Sequence, residues 1–413
     1  MQYGCIGETL KHSFSAEIHP LLSDAVYELC EIPKEELSAF MERRDFLGIN
    51  VTIPYKQDVI PFLYFIDDAA REIGAVNTIV NRDGLLYGYN TDFYGMSRLL
   101  SHLGAELDGK KVAILGTGGT SLTAIAVARH LGASEILRVS RFKKDGCVTY
   151  EELKTQHTDV QILINTTPCG MYPHADECPV EPSDLPKLEC VADAVYNPLR
   201  TELVLRAREQ GIAAEGGLYM LVAQAVRAAE IFHDTSYPEE IVERIWRSLM
   251  RKKENLVLIG MPGSGKTTVG TLLANSMERS FCDTDEEIRK ESDQAPAEII
   301  GELGEAHFRD LETKIIQDLI AHKNSEIIAT GGGAILRCEN ERMLRRNGRI
   351  YLLDRPVEKL IPTLDRPLSA DREALERRYR ERYERYHEAA DVVVWDPETP
   401  EAAAESIREE FEA

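Results

Sequence analysis

Apolar residues along the chain fall into two alternating patterns. Short runs rich in β-branched residues have the length and composition of buried strands, at 111–115, 135–139 and 256–259. Longer stretches place apolar residues three and four positions apart, as amphipathic helices do, at 220–226, 238–250 and 268–274. The two kinds of segment alternate along almost the whole chain, which predicts βαβ units with parallel sheets. The sequence therefore predicts an α/β fold.

Length, charge and cysteine usage narrow the class of protein. A chain of 413 residues suggests two or three domains of about 150 residues each. The formal net charge of −22 argues against binding to nucleic acid or to an anionic membrane. No apolar run approaches the roughly 18 residues of a membrane span, and the first residues lack a signal-peptide pattern. The eight cysteines form no Cys-x-x-Cys pair, so we expect free thiols in a reducing cytoplasm and no zinc site.

A complete phosphate-binding loop, Gly-Met-Pro-Gly-Ser-Gly-Lys-Thr, occupies 260–267. It stands between a strand-like run and a helical stretch, which is the context that this motif requires. Backbone N–H groups of such a loop surround a polyphosphate at the N-terminus of the helix. Lys266 then reaches the outer phosphates, and Thr267 offers its hydroxyl to Mg²⁺. We expect ATP to bind through Gly263, Ser264, Gly265, Lys266, Thr267 and Thr268.

A second glycine loop directly follows the strand-like run 111–115 and opens a helical stretch, as in dinucleotide-binding folds. Ser121 stands where a full fingerprint has its third glycine. The residues expected to contact the cofactor here are Gly116, Gly118, Gly119 and Thr120.

The end of the next strand-like run indicates which dinucleotide binds. NAD enzymes place an acid here for the ribose hydroxyls, whereas this chain has Ser140 and Arg141, with Lys144 close behind. Bases at this point suit a 2′-phosphate, so NADP is preferred over NAD. A solvated cationic turn is the alternative explanation of these charges.

Four short polar clusters lie in the first hundred residues, at 12–15, 50–56, 74–78 and 90–92. Each follows or ends a predicted strand, so each is expected to face a common cleft. Their hydroxyls, amides, single lysine and single aspartate suit a small polyhydroxylated carboxylate. Spacing alone also allows structural roles, because Asn90 could hold a turn, Lys56 could be a surface charge and Ser13 could cap a helix.

These clusters, together with motifs further along, resemble the shikimate dehydrogenase family over residues 1–250. The resemblance rests on Lys-His-Ser-Phe-Ser, Asn-Val-Thr-Ile-Pro-Tyr-Lys, Gly-Ala-Val-Asn-Thr, Asn-Thr-Asp, the Gly-x-Gly-Gly loop, Asn-Thr-Thr-Pro-x-Gly-Met at 165–171, Tyr-Asn-Pro at 196–198 and Met-Leu-Val-Ala-Gln at 220–224. It implies NADPH-dependent reduction of 3-dehydroshikimate to shikimate. The chain departs from the family at Thr9 and Ala16, near which members usually carry proline.

The resemblance also implies roles for individual residues. Lys56 and Asp92 form the catalytic pair, because a lysine within hydrogen-bond reach can stabilise and protonate the alkoxide that hydride transfer creates. Ser13 and Ser15 bind the substrate carboxylate. The other implied substrate contacts are Thr52, Lys56, Asn77, Asp92, Tyr196 and Gln224. Further cofactor contacts are implied at Thr166, Met171 and Gly217.

Acids, arginines and glycines downstream of the phosphate loop outline a second site. Asp283 and Asp285 lie two residues apart at the predicted end of a short strand, so both carboxylates are expected to face the phosphate cleft. One can hold Mg²⁺ while the other accepts from a substrate hydroxyl; a polar turn is the alternative. Three successive glycines allow backbone amides to close on a ligand. Arginines that suit carboxylate and phosphate charge stand at Arg309, Arg366 and Arg382.

This second set of motifs, in this order, resembles shikimate kinase over residues 255–413. By that resemblance Asp283 serves the metal, and Arg366 belongs to a lid and reaches the transferring phosphate. The implied shikimate contacts are Asp285, Arg309, Gly331, Gly332, Gly333 and Arg382. The lid segment 356–365 is short and lacks an evident adenine-stacking arginine. The stretch 377–388 lacks a proline frequent in the family, and most of its charges fit a salt-bridged surface helix.

We therefore interpret the chain as a bifunctional enzyme that uses NADP(H), ATP and Mg²⁺. The predicted domains are a substrate-binding domain at 1–95 completed by helices in 218–250, a Rossmann-type NADP domain at 96–217, a linker at 251–254, and a P-loop kinase domain at 255–413. The expected partners are the small molecules 3-dehydroshikimate and shikimate. Two alternatives stay open: a quinate/shikimate dehydrogenase fused to another small-molecule kinase or to a nucleotide-sensing module, and a scaffold with inactive sites.

Overall fold

The computed structural model of this chain describes residues 1–10, 14–322, 324–360 and 372–413. The chain divides into two compact units, Met1–Ser248 and Leu249–Ala413. Three sheets with wholly or partly parallel strands alternate with helices along the sequence, which confirms the predicted α/β class. No helix in these described ranges is long and apolar enough to cross a bilayer.

The first sheet has six strands, and two of its strand pairs are antiparallel. Its elements are β1 (Tyr3–Gly7), α1 (Ser15–Ile18), β2 (Tyr27–Glu31), α2 (Leu37–Arg43), β3 (Gly48–Val51), β4 (Phe65–Ile66), α3 (Asp68–Ile73), β5 (Thr78–Arg82), β6 (Leu85–Tyr89) and α4 (Thr91–His102). The strand order is β2-β1-β3-β5-β6-β4. Because β5 runs antiparallel to β3, its first residue pairs with Asn50 near the end of β3. Polar residues from both segments therefore meet at one edge.

The second sheet belongs to the same unit and has six strands that are all parallel. Its elements, followed by two closing helices, are β7 (Lys111–Leu115), α5 (Gly119–His130), β8 (Glu135–Ser140), β9 (Val148–Thr149), α6 (Tyr150–Gln156), β10 (Ile162–Asn165), β11 (Cys190–Asp193), α7 (Glu202–Glu209), β12 (Ala213–Glu215), α8 (Leu218–His233) and α9 (Ile241–Lys253). The strand order β12-β11-β10-β7-β8-β9 reverses direction between β7 and β10. Ligands of such sheets bind at the carboxyl ends of the strands beside this switch point.

Helix α8 returns to the first sheet and packs against α4. The two helices approach closely at Gly95, where a Cβ would lie 2.6 Å from the carbonyl oxygen of Met220. A larger residue at this position would force the helices apart, so the sequence needs glycine here. This contact brings the segment around Gln224 beside the start of α4.

The second unit holds a five-stranded parallel sheet. Its elements are β13 (Asn255–Ile259), α10 (Lys266–Met277), β14 (Phe281–Asp283), α11 (Thr284–Ser292), α12 (Pro296–Leu303), α13 (Glu305–His322), β15 (Ile327–Ala329), α14 (Cys338–Asn347), β16 (Gly348–Asp354), α15 (Arg372–Ala389), β17 (Val392–Trp395) and α16 (Pro400–Glu412). The order β14-β15-β13-β16-β17 places β13 at the centre. The phosphate loop follows this central, fully buried strand, as the apolar run 256–259 predicts.

The charged stretch at 251–254, which we predicted to be a linker, is mostly helical. Arg251, Lys252 and Lys253 are the last residues of α9. Cations are favourable in the last turn of a helix, where they face the negative end of its dipole, so the charge run continues the helix.

All eight cysteines are free thiols, as the sequence predicts. Cys338 at the start of α14 is exposed, and the other seven are buried or half-buried.

Candidate active sites

A cavity of about 520 Å³ in the first unit gathers most of the residues predicted to bind the substrate. The predicted residues that line it are Ser15, Thr52, Lys56, Asn77, Asp92, Thr120, Met171, Tyr196, Gly217 and Gln224. They stand in loops and helices that connect strands of both sheets of the unit, and in α8. Ser13, predicted beside Ser15, lies outside the described residues.

One of the four polar clusters reaches this cavity in a way that we did not predict. The cluster 74–78 precedes β5, whereas we expected every cluster to follow or end a strand. It still reaches the cavity because β5 is antiparallel to β3, so the beginning of one strand lies beside the end of the other. An antiparallel pair thus takes the place of the parallel one that we assumed.

Lys56 and Asp92 form an ion pair, with Nζ 2.5 Å from Oδ2. Their side chains are 22% and 13% exposed, so the pair is partly shielded from water but open to the cavity. The neighbouring Tyr55 is fully buried and donates its hydroxyl to the Ile32 carbonyl at 2.5 Å. The Lys56 carbonyl accepts from the Val76 amide at 2.8 Å. These contacts fix the backbone on both sides of the lysine.

Asn77 is 3% exposed and is fixed by its side-chain oxygen. This oxygen accepts from the Thr91 amide at 2.7 Å and from the hydroxyls of Thr78 and Thr91 at 3.1 and 3.2 Å. The Thr91 hydroxyl also lies 3.3 Å from Gln224 Oε1, which links α4 to α8. Because its oxygen is engaged within the protein, Asn77 can present its amide N–H groups to a ligand.

Asn50, which we did not predict as a site residue, lines the same cavity. Its amide nitrogen lies 3.1 Å from Thr78 Oγ1 and 3.3 Å from the Asn77 carbonyl. Its oxygen accepts from the Tyr27 hydroxyl at 2.7 Å. Asn50 therefore ties the strand β2 to the residues that hold Asn77. Its place at the end of a buried strand was the available sequence signal.

His19 lies behind this network. Its ring stacks on that of Tyr27, with centroids 3.8 Å apart and an interplanar angle of 7°. Burial lowers the pKa of His19 to about 3, so the imidazole is neutral near pH 7. Burial also raises the pKa of Tyr27, which keeps its hydroxyl protonated as a donor to Asn50.

The glycine loop after β7 leaves room for a dinucleotide phosphate. Gly116 has φ 111°, and a Cβ there would lie 2.8 Å from Thr166 Oγ1, so the turn requires glycine. A Cβ at Gly118 or Gly119 would meet nothing within 4 Å, so the backbone is open at the N-terminus of α5. Ser121, at the third glycine position, is buried and donates to the Gly118 carbonyl at 2.6 Å. The hydroxyl thus supports the loop from inside.

A buried carboxylate, absent from our predictions, holds the segments opposite this loop. Asp193 is fully buried at the end of β11 and accepts from Asn165 Nδ2 at 2.9 Å, the Val195 amide at 3.0 Å and the Thr201 hydroxyl at 2.7 Å. Burial raises the pKa of Asp193 to about 7, against the effect of these donors. Thr166 donates to the Leu115 carbonyl at 2.5 Å. The turns after β7, β10 and β11 are therefore joined.

The residues predicted to read the 2′-phosphate do not line the 520 Å³ cavity. Ser140 is buried at the end of β8, and Arg141 is exposed just after it. Lys144 borders a separate open cavity of about 360 Å³ together with Lys143. Lys143 is paired with Glu152 at 2.5 Å, so Arg141 and Lys144 are the cations better placed to meet a phosphate.

A cavity of about 650 Å³ lies in the second unit. The predicted residues that line it are Thr267, Asp283, Asp285, Arg309, Gly331, Gly332, Gly333 and Arg382. Gly263, Ser264, Gly265, Lys266 and Thr268 stand in the adjoining loop and in the first turn of α10. Lys266 is buried, and its ammonium donates to the carbonyls of Gly260 and Met261 at 2.9 and 3.0 Å. Arg366 and residues 361–365 of the predicted lid segment lie outside the described residues.

The two acids at the end of β14 and the start of α11 face this cavity for a reason different from the predicted one. The strand ends at Asp283, and Asp285 lies in the first turn of α11, so the acids do not alternate along a strand. Asp283 is the N-cap and accepts from the Asp285 amide at 3.0 Å. Its other oxygen accepts from the Thr267 hydroxyl at 2.7 Å. A hydroxyl beside a carboxylate at the phosphate loop is a suitable oxygen set for Mg²⁺.

Arg309 is held by two acids of its own helix. It donates to Glu312 at 2.7 Å and to Glu305 at 3.1 Å. Glu312, which we did not predict, is fully buried in the cavity wall, and burial raises the pKa of its carboxyl. A Cβ at Gly331 would lie 2.6 Å from Glu312 Oε1 and 2.7 Å from Asp285 Oδ1. Glycine at this position therefore lets the two carboxylates flank the backbone.

Two sites of different chemistry thus occupy the two units. The first combines a dinucleotide-type loop with a lysine–aspartate pair, as an NADP-linked oxidoreductase requires. The second combines a phosphate loop with acids and arginines, as a phosphotransferase requires.

Comparison with known proteins identifies the protein family that each of the two sites matches. The shikimate dehydrogenase substrate-binding domain model matches residues 5–79, and the shikimate kinase model matches 262–412. The shikimate dehydrogenase (NADP(+)) of Clostridium beijerinckii is 38% identical over 261 residues, which cover 59% of this chain and 96% of that protein. The chain therefore belongs to the shikimate dehydrogenase family and also carries a shikimate kinase domain. It is an enzyme with both activities, NADP-dependent and ATP-using.

Two solved structures share the fold of the first unit. A chorismate mutase/shikimate 5-dehydrogenase fusion protein from Clostridium acetobutylicum is 38% identical, with a TM-score of 0.57 over 60% of this chain and 96% of that one. Shikimate 5-dehydrogenase from Thermus thermophilus, solved in complex with NADP(H) and shikimate, is 26% identical, with a TM-score of 0.54 over 60% of this chain and 99% of that one.

Proposed function

We propose that this enzyme reduces 3-dehydroshikimate to shikimate with NADPH and then phosphorylates shikimate with ATP and Mg²⁺ to shikimate 3-phosphate. The observation that carries the proposal is the gathering of ten predicted residues, including the Lys56–Asp92 pair, around one cavity. The complex of the Thermus thermophilus relative with NADP(H) and shikimate supports the same ligands here. The kinase domain consumes the product that the dehydrogenase makes, which favours this reaction direction.

In the first site, bound NADPH supplies a hydride to the ring ketone. Lys56 donates a hydrogen bond and then a proton to the oxygen that gains charge, because an ammonium in a partly buried site stabilises a developing alkoxide. Asp92 accepts from Lys56 at 2.5 Å and orients it. Asn77, Thr52 and Gln224 line the cavity and bind ring hydroxyls. Ser15, with Ser13, receives the carboxylate.

In the second site, bound ATP with Mg²⁺ supplies the phosphoryl group. Thr267 and Asp283 present the oxygens that fit Mg²⁺. The described residues contain no group of three metal-ligating side chains, and Mg²⁺ shared with substrate phosphates needs only one or two. Asp285 orients the attacking 3-hydroxyl, and Arg309, Gly332 and Arg382 position the acceptor. Lys266 and Arg366 neutralise phosphate charge.

We also propose the division of labour along the chain. Residues 1–95 with helices in 218–250 bind the dehydrogenase substrate, 96–217 bind NADP, and 255–413 form the kinase. Gly116, Gly118, Gly119, Thr120, Thr166, Met171 and Gly217 contact the cofactor. Ser140, Arg141 and Lys144 select its 2′-phosphate, which NADH lacks.

The coupled reaction tests this function. Purified enzyme with 3-dehydroshikimate, NADPH, ATP and Mg²⁺ should oxidise NADPH and form shikimate 3-phosphate, detected by mass spectrometry. Omission of Mg²⁺ should stop phosphorylation and spare NADPH oxidation. Phosphorylation of an acceptor other than shikimate, or a higher kcat/KM for 3-dehydroquinate than for 3-dehydroshikimate, would contradict the proposal.

A further inference from the structure

We propose that Arg378 is an additional acceptor-binding residue of the kinase, which holds the acceptor carboxylate together with Arg382. The inference rests on the proposed kinase function and adds a residue to it. Arg378 lines the 650 Å³ cavity with Arg309 and Arg382. In sequence it stands in a charged helical stretch, where it looks like one more surface arginine.

The geometry of α15 brings Arg378 and Arg382 together. They are four residues apart, so they lie one above the other on the same face of the helix. Tyr386, a further turn along, and Arg382 both donate to the Gly332 carbonyl, Arg382 at 2.9 Å. This face of α15 therefore points at the three-glycine loop, and Arg378 extends it along the cavity wall.

The charges in the cavity favour an anion at this pair. Arg309 is neutralised by Glu312 and Glu305, at 2.7 and 3.1 Å. Arg382 is only 8% exposed, and its contact at Gly332 is a neutral carbonyl. Within the described part of the chain Arg382 makes no ion pair, although a buried guanidinium needs a counter-charge. A ligand carboxylate can supply that charge.

The electrostatics of Arg378 point the same way. The pKa of its guanidinium is lowered, first by burial and then by the positive charge of Arg382. The negative charge of Glu305 opposes this shift. Two neighbouring arginines offer planar N–H groups that match the two oxygens of a carboxylate, and bound carboxylate relieves their repulsion.

Kinetics of an Arg378→Met variant test the proposal, because Met retains much of the apolar stem and removes the charge. We expect the KM for shikimate to rise roughly tenfold or more, as loss of a charge-assisted hydrogen bond predicts. The kcat and the KM for ATP should change less than threefold, because Arg378 does not contact the reacting atoms or the nucleotide in this proposal. Arg378→Lys, which keeps the charge but not the planar fork, should give an intermediate KM.

The matched control is Arg380→Met on the same helix. Arg380 is 80% exposed, lies outside the cavity and contacts Glu376 at 3.9 Å. The KM of the Arg380→Met variant for shikimate should therefore equal that of the parent enzyme. The second arm uses the carboxamide analogue of shikimate, as substrate or competitive inhibitor. Its KM or Ki should be the same for the parent and for Arg378→Met, since the analogue has no charge to lose.

Each other result overturns the inference. Equal weakening of shikimate and its carboxamide would mean that Arg378 acts through packing. A rise in the KM for ATP alone would place phosphate rather than carboxylate at this side chain. An unchanged KM for shikimate would remove Arg378 from the site. A parent enzyme that phosphorylates another acceptor would instead contradict the proposed function, which the parent assay reveals before any variant is compared.

Discussion

The two cavities of the enzyme are built from different kinds of polar group. In the dehydrogenase cavity, amides and hydroxyls hold one another: Asn50, Asn77 and Thr91 are buried and share short hydrogen bonds. One ion pair, Lys56–Asp92, stands among them. In the kinase cavity, charged side chains such as Arg309 and Glu312 hold one another instead.

The difference follows from the two reactions. Hydride transfer develops charge at one ring oxygen, so one lysine suffices and neutral groups can select the hydroxyls. Phosphoryl transfer involves several negative charges at once, and a kinase site must neutralise them. Under the proposed functions, one small acid is recognised mainly by directional hydrogen bonds in one unit and mainly by charge in the other.

The largest expected effects come from substitutions that remove one activity of the enzyme and leave the other unchanged. Lys56→Ala should lower the dehydrogenase kcat by roughly 10²–10⁴-fold, because it removes the proton donor, and leave kinase turnover unchanged. Lys266→Ala should do the reverse, with a loss on the order of 10²–10³-fold in phosphorylation. NADPH absorbance and ADP release measure the two activities independently. If either folded variant lost both activities, the two sites would not be independent.

Glu312→Gln tests how strongly the kinase depends on its buried charge. Removing one partner of a buried ion pair leaves Arg309 undercompensated, although Glu305 remains, so we expect the unit to lose about 3 kcal/mol of unfolding free energy. Urea unfolding followed by far-UV circular dichroism measures the loss. Glu291→Gln is the control, because the Glu291–Lys314 pair is about half exposed and should contribute less than about 1 kcal/mol.

Asn77→Ala tests the neutral network of the dehydrogenase. It leaves the buried Thr91 amide without its acceptor, so the first unit should lose about 2–3 kcal/mol. Trp246 fluorescence in a Trp395→Phe background follows that unit, since the chain has two tryptophans and only Trp246 lies in Met1–Ser248. An unchanged urea midpoint would show that this network does not stabilise the unit.

The pH dependence of the first unit should carry the signature of His19. Its pKa is about 3 in the folded chain and close to the ordinary 6.5 in the unfolded chain, so below pH 6.5 the unfolded chain binds the extra proton. The His19 contribution should lower stability as the pH falls from 6.5 towards 3, by about 2 kcal/mol at pH 5. Asp193, with its pKa raised to about 7, acts in the opposite sense between pH 3.8 and 7.

His19→Phe isolates this contribution, because Phe retains the stacking on Tyr27 and cannot titrate. On going from pH 7 to pH 5, the stability measured by urea unfolding through Trp246 should change more favourably in the variant than in the parent, by about 2 kcal/mol, because the variant keeps the Asp193 contribution and lacks the loss from His19. Equal pH slopes in both proteins would mean that His19 is not buried in neutral form.

Salt should give the smallest effect. Raising ionic strength screens partly buried charges weakly, so the kinase KM for shikimate should rise about two- to threefold between 0.05 and 0.5 M KCl. The dehydrogenase KM for shikimate, measured at saturating NADP, should change less. A larger change in the dehydrogenase would reverse the comparison.

Much of the fold followed from local patterns. The strand at Lys111–Leu115 and the phosphate loop after β13 were predicted from short apolar runs next to glycines. Asp283 and Asp285 were assigned to a strand although an aspartate followed by three acids within four residues signals a helix start. The structure follows both patterns in turn, because the strand ends at Asp283 and the same residue caps the helix that begins at Thr284.

The residues that the sequence analysis missed share one property. Asn50 is hydrogen-bonded to Thr78, and Asp193 is hydrogen-bonded to Asn165. In each pair the two residues are 28 positions apart along the chain. Glu312 is three residues from Arg309 and resembles an ordinary surface pair. Burial gives each of these groups its importance, and burial depends on how distant segments pack.

The single exposed thiol gives this enzyme a built-in labelling position. Cys338 Sγ lies 3.8 Å from Arg385, three residues beyond Arg382 on the helix that carries both proposed carboxylate contacts. A maleimide dye placed there would report acceptor binding optically in the otherwise unaltered chain.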